Sequence, residues 1–200
     1  MRLNVAIFIF NEVEVLDFAG PFEVFAATDS LNQNTLFNTY TVAEMPGVVF
    51  ARNGLKVVPT HPFESAPKPD IIVVPGGFGT RPLLARSIII EWIRQQSRAA
   101  QHTVSVCTGS LLLAKAGLLD GLPATTHCSQ LDLLRELAPT AVVHTDRRFL
   151  DTGQLLTSAG ISAGIDVSLH LVARLCGKEI AERTAAHMEY HWTNDGGLQR

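Results

Sequence analysis

Apolar residues along this chain follow two rhythms. In the first they form short unbroken runs: Leu3–Phe10 (LNVAIFIF), residues 71–75 (IIVVP) and residues 103–106 (TVSV). Runs of this kind predict strands covered on both faces, as in the interior of a parallel sheet. In the second rhythm they recur at helical spacing. Ile165, Leu169, Val172 and Cys176 are separated by 4, 3 and 4 positions and predict a helix over residues 162–176. Elsewhere, Pro21 suits the first turn of a helix running to about Ser30. Thr39–Ala43 reads as a strand, and Val48–Val58 holds short strands around Asn53-Gly54, a strong hairpin signal. Residues 81–100 read as mostly helical, and the strand at 103–106 leads into a helix closed by Gly117. LDGLPATT (119–126) is a turn leading into a short strand. Helices are expected over 129–137 and 178–189, a hairpin around Asp151-Thr152-Gly153, and a loose tail at TNDGGLQR (193–200).

Strands alternating with helices predict an α/β chain with a mostly parallel central sheet and helices on both faces. No linker, repeat or low-complexity block interrupts the pattern, so residues 1–200 read as a single domain. Hydrophobic residues make up 46% and charged residues 18%, enough for a real core. The formal net charge of −3, with no basic stripe, argues against nucleic acid as a partner. No apolar run reaches the ~18 residues of a membrane span. The opening run is broken by Glu12 and Glu14 and has no cleavage pattern, as expected of the first strand of a cytoplasmic protein. The three cysteines, Cys107, Cys128 and Cys176, are an odd number without dense spacing, so no disulfide framework is expected.

Sites in such sheets gather at the carboxyl ends of strands. At one such end lies Ser105-Val106-Cys107-Thr108-Gly109, with small residues two before and two after the cysteine. This is the spacing of a sharp strand-to-helix turn that lifts a nucleophile, and the helix start would favour a thiolate. A buried structural cysteine is the competing reading. IIVVPGGFGTRP ends another strand with glycines at 76, 77 and 79; it is neither a P-loop nor a dinucleotide fingerprint. It serves either as a tight turn or as part of an oxyanion hole in which N–H groups of Gly77 or Phe78 join that of Thr108. In EVLDFAGPFEVF, Asp17 is either a helix-start carboxylate or a partner sharing a proton with the thiol. His127, in PATTHCSQ, is either an ordinary loop histidine or a base facing the sulfur, and Cys128 after it is a packed residue or a resolving thiol. His187 and His191 are spaced i, i+4 but lack the His-Glu-x-x-His order, and no cluster has zinc-ligand spacing. His61, His102, His144 and His170 have no partner identifiable from the sequence.

Taken together, LDFAGPFEVF, PKPDIIVVPGGFGTRP, VSVCTGSLLLAKAGLLDGLPATTH and LLTSAGISAGIDVSLHLVARLCG resemble the DJ-1/PfpI (ThiJ) superfamily over nearly the whole chain. The resemblance implies a flavodoxin-like three-layer sandwich of the class I glutamine amidotransferase-like kind, usually dimeric, with Cys107 at a nucleophile elbow. Asp17 together with VCTGS is similar to isocyanide hydratases, which add water to R–N≡C to give an N-substituted formamide. The same motifs occur in the amidase-like sensor domain of AraC-type regulators, whose helix-turn-helix domain finds no room before Arg200. Thr108 stands where PfpI peptidases carry a histidine, and Cys128 where relatives often carry Trp.

The resemblance thus implies a cofactor-free, metal-free hydratase or hydrolase acting on a small molecule. Cys107 would attack an electrophilic carbon, Asp17 would move protons, and His127 would assist. Gly77, Phe78 and Thr108 would hold negative charge, with Gly160 of SAGIS lining the same pocket. A ligand- or redox-sensing module without turnover is the alternative.

Overall fold

The computed structural model describes residues 2–193. Its elements, in chain order, are β1 (Leu3–Phe8), α1 (Val15–Leu31), β2 (Phe37–Ala43), β3 (Val49–Phe50), β4 (Lys56–Val57), β5 (His61–Pro62), β6 (Ile71–Val74), α2 (Thr80–Leu83), α3 (Ser87–Ala99), β7 (His102–Ser105), α4 (Gly109–Lys115), β8 (Pro123–Ala124), α5 (Leu131–Leu137), β9 (Val142–Val143), β10 (Phe149–Asp151), β11 (Leu155–Ser158), α6 (Ala163–Cys176) and α7 (Lys178–His187). The main sheet has seven strands in the order β10-β11-β7-β6-β1-β2-β5. Every neighbouring pair is parallel except β10 with β11. Helices α1, α6 and α7 pack together, and α2, α3, α4 and α5 form a second group. This is the α/β, flavodoxin-like three-layer sandwich with a mostly parallel sheet.

The continuous apolar runs lie where such runs must lie. All four residues of β6 are fully buried, between β1 and β7. On α3 the buried set Ile89, Ile90, Ile93 and Ser97 makes one face, and the rest of the helix meets solvent. Leu111, Leu112 and Leu113 of α4 are all fully buried, so this short helix is held by packing more than by its own hydrogen bonds.

The helix expected to start near Pro21 starts six positions earlier, at Val15, and Pro21 lies inside it. Proline inside a helix loses an N–H and crowds a carbonyl. Packing outweighs that cost here: Gly20 admits Ile165 of α6, which would lie 3.0 Å from a Cβ at position 20. The helical stretch expected over 81–100 divides into α2 and α3. Asn53 and Gly54 turn the β3–β4 hairpin with φ of 59° and 83°, but that hairpin stands apart from the main sheet. The two-residue strands β5 and β9 were not expected, being too short to show a period. The tail expected over 193–200 lies outside the described residues beyond Thr193. Among the described residues no helix is long and apolar enough to cross a membrane.

One buried carboxylate ties α1 to the sheet. Asp29 accepts the N–H groups of Leu36 and Phe37 at 2.9 Å each and pairs with Arg2. Asp29→Ala should cost about 2–4 kcal/mol in urea unfolding, because two N–H groups lose their acceptor. A loss below about 1 kcal/mol would show that neither depends on it.

Candidate active site

Cys107 follows β7 and precedes α4, at φ 54°. The left-handed region costs an L-residue roughly 1–3 kcal/mol and persists only where neighbours enforce it. Here they do. The Cys107 N–H donates to Ala159 O at 3.1 Å, and the Cys107 carbonyl accepts from Ser110 Oγ at 3.1 Å and Thr126 Oγ1 at 3.0 Å. A Cβ at Gly109 would stand 1.9 Å from Val74 O, so only glycine lets α4 begin this close to β6.

Asp17, in the first turn of α1, is fully buried. Its Oδ2 accepts the Gly76 N–H at 3.0 Å, and its carboxyl lies beside the Cys107 thiol, close enough for each to shift the other's ionisation. Oδ1 is buried with no hydrogen-bond donor among the described residues. A Cβ at Gly76 would fall 2.8 Å from Oδ2, so glycine is again needed for the approach. Burial pushes Asp17 up to about 7, and the charge of Glu14 adds to this; the Gly76 N–H and the thiol pull the other way. Cys107 is pushed up to about 12, first by burial and then by the charge of Asp17, against the N–H groups of Thr108 and Ile161. The thiolate expected from a helix start is therefore not favoured: α4 has only seven residues, and two N–H donors do not offset burial beside a carboxylate. Each group disfavours the charged form of the other, and the carboxyl is the one that ionises first.

Cys107 and Thr108 open onto a cleft of about 110 Å³, bounded by Phe78 and Arg81 on one side and His127 and Ile161 on another. The expected donors are arranged differently from the expectation. The Gly77 N–H is taken by Thr108 Oγ1 at 2.9 Å, so Gly77 lines the cleft without offering that N–H to it. Phe78 is 56% exposed, and its ring centroid lies 4.0 Å from the Arg52 guanidinium and 5.2 Å from that of Arg81. Arg81 also donates to Gly77 O at 3.0 Å. The N–H groups that face the sulfur belong to Thr108 and to Ile161, a residue the sequence reading missed. Ile161 has φ 51°, and its only trace in the sequence is its place in the SAGIS loop.

His127 borders the cleft, but its Nδ1 accepts the Ser129 N–H at 3.2 Å and lies 2.8 Å from Ser129 Oγ. It is bonded to Ser129 rather than to the sulfur. Gly160 does not line the Cys107 cleft; it lies behind the His127 ring, where a Cβ would come within 2.3 Å of Cδ2. Cys128 is exposed and 4.0 Å from His127 Nδ1, Cys176 is half-buried, and all three thiols are free. His102 and His170 find partners far from the cleft, in a cluster where Arg174 reaches Asp151 and His102, and Asp151 reaches His170. His102 opens β7, the opposite end of the strand from Cys107.

A model of the DJ-1/PfpI family matches residues 3–174. The chain is 38% identical over 190 residues to an isonitrile hydratase of Pseudomonas putida, covering 95% of this chain and 79% of that protein. It is 28% identical over 178 residues to the HTH-type transcriptional regulator GbdR of Pseudomonas aeruginosa, covering 89% of this chain but 48% of the regulator. Among solved structures, a THiJ/PfpI family protein from Pseudomonas syringae superimposes with a TM-score of 0.85 at 30% identity, over 95% of this chain and 76% of that one.

The coupled pair makes two effects measurable. The folded state holds a proton on Asp17 up to about pH 7, whereas the ordinary value is 3.8. The stability this group contributes is therefore complete below the lower value and lost as pH rises through the upper one. Asp17→Asn should thus gain thermal stability over the parent as pH rises from about 4 to about 7, with no gain near pH 3. In the same variant the Cys107 thiolate should form at lower pH, because the adjacent charge is gone. An unchanged thiolate absorbance curve would separate Asp17 from the sulfur.

Proposed function

The chain belongs to the DJ-1/PfpI family, and on that footing we propose that it is a cysteine-dependent small-molecule hydratase of isonitrile hydratase type. The observation that carries the reading is the juxtaposition of buried Cys107 and buried Asp17 at the elbow. A carboxylate with a value near neutral can take a proton from the thiol and return it elsewhere.

In the proposed reaction the Cys107 proton passes to Asp17 as sulfur bonds to the terminal carbon of R–N≡C. Asp17 then delivers that proton to the same carbon, giving a thioimidate, S–CH=N–R. Water adds across the C=N bond, its oxygen to carbon and one proton to nitrogen. Collapse breaks the C–S bond and forms the C=O of R–NH–CHO, while the hydroxyl proton returns through Asp17 to sulfur. One isocyanide and one water give one N-substituted formamide. The N–H groups of Thr108 and Ile161 stabilise charge on the sulfur as it enters and leaves. Gly77 supports Thr108 from behind, Phe78 closes the rim, and Gly160 gives the His127 ring its place. No step calls on a metal or a cofactor. Three free thiols suit a reducing, cytoplasmic setting.

The relationship to GbdR favours a second reading, a sensor module that binds a small ligand without consuming it. Turnover separates the two. Formamide should appear without added metal or nucleotide, and kcat/KM should rise as pH passes through about 7, where Asp17 becomes a carboxylate. Cys107→Ala should lower kcat/KM by at least about a thousandfold, and His127→Ala by far less, since His127 is bonded to Ser129. Activity retained in Cys107→Ala would refute the covalent route; binding without turnover in the parent would favour the sensor.

A homodimer is also proposed. Met45, Val48, Phe50, Leu55 and Val58, on and around the β3–β4 hairpin, are all exposed, more apolar surface than a solvated hairpin needs. Sedimentation at micromolar concentration should give a dimer; a clean monomer would contradict it.

A further inference from the structure

The cleft at Cys107, about 110 Å³, has room for an isocyano group and few further atoms. The substituent on nitrogen must therefore extend beyond it. A second cavity, about 360 Å³, adjoins the first: His127 and Ile161 line both. Its remaining wall includes Cys128, Leu131, Arg147 and Arg148.

The two cavities differ in charge. The cleft carries both Glu14 and Arg81, and Arg81 is already bonded to Gly77 O. The larger groove is lined by two guanidiniums and no carboxylate. Arg148 is committed: it pairs with the buried Asp166 and donates to Ser162 Oγ at 3.0 Å. Arg147 is exposed and has no hydrogen-bond, ion-pair or ring partner among the described residues. Asp146, its neighbour in sequence, lies 3.8 Å from His144 Nδ1 and does not line the groove. A groove that meets the reacting cleft and offers an unpaired guanidinium is built to receive an anionic group attached to the reacting one.

We propose that this groove takes the nitrogen substituent of the substrate and that Arg147 selects substituents carrying a carboxylate, so that the substrate class is isocyano carboxylates. The assignment rests on the hydratase reading for the reacting group, and on the groove for the rest. The product would be an N-formyl amino acid or a longer formamido acid. Arg147 is a specificity residue: it touches the distal carboxylate and takes no part in bond making.

The test compares isocyanoacetate with its methyl ester, which differ by the negative charge and one methyl group. The parent should prefer the carboxylate by about tenfold in kcat/KM, the worth of one charge-assisted contact at a partly exposed site. The ratio should collapse toward one in Arg147→Gln and shrink as salt is added. A ratio that favours the ester in the parent, or that Arg147→Gln leaves unchanged, would overturn the assignment while the hydratase reading stands. If the parent consumes other isocyanides but neither of these, the assignment falls and the hydratase reading stands; if it consumes no isocyanide at all the hydratase reading fails, and a binding measurement decides the groove by itself. Cys128 lies in the groove and is exposed, so N-formylglycine should slow its alkylation by iodoacetamide, and N-formylglycinamide should not. Protection that disappears in Arg147→Gln supports a carboxylate groove; equal or absent protection by the two compounds overturns it.

Discussion

Burying a thiol and a carboxyl against one another leaves room for one negative charge at most. Two ionised groups would repel at short range in a medium that screens poorly, so one proton stays on the pair over a wide span of pH. Asp17 reaches this position because α1 begins early, at Val15, and brings its first turn beneath the glycine-rich end of β6. The Gly76 N–H then selects which carboxyl oxygen is held, and the other is left without a donor. A buried oxygen with no partner is costly.

The backbone around Cys107 answers to the same constraint. A left-handed residue between a strand and a helix would relax if it were free to do so. Hydrogen bonds from Ser110 and Thr126 to the Cys107 carbonyl, and from Cys107 N–H to Ala159 O, hold it from three separate parts of the chain. These contacts come from α4, the stretch after β8 and the end of β11. The elbow is therefore a property of the sheet's carboxyl edge as a whole. The absence of side chains at Gly76 and Gly109 gives these pieces their close approach.

Beyond the pair, the two adjoining cavities differ in charge. The small cleft holds donors and a titrating pair, with opposite charges at Glu14 and Arg81. The larger groove is one-signed, and His127 and Ile161 stand where they meet. Ile161 thus has two roles at once: its N–H faces the sulfur and its side chain borders both spaces. Such economy is possible because β11 is the neighbour of β7, so the turn after it lies beside the elbow, where Cys107 N–H donates to Ala159 O.

Periodicity and local motif made much of this legible in the chain itself. The unbroken runs at β1, β6 and β7 can only be interior strands, since charged neighbours would be needed on an exposed face. Ser105-Val106-Cys107-Thr108-Gly109 signals a crowded turn by its small residues, and Gly109 is where the crowding is greatest. The resemblance to the family was likewise carried by motifs that sit at strand ends. Asp29 and the helix start at Val15 were not legible, because both depend on contacts with distant elements: Arg2 and the start of β2 for one, Ile165 of α6 for the other. Ionisation was misjudged for the same reason. A helix start is a local feature, but the cost of charging Cys107 is set by burial beside Asp17, ninety positions earlier in the chain. The donors of Ile161 and the charge of the Arg147 groove belong to segments brought together only by tertiary structure. Which strands are interior and where the turn must be tight follow from side-chain size and polarity over a few neighbouring residues, and so can be read along the chain. Only the folded structure decided which carboxyl, which N–H groups and which guanidinium surround the thiol, because electrostatic energies depend on distance in space and on exclusion of water.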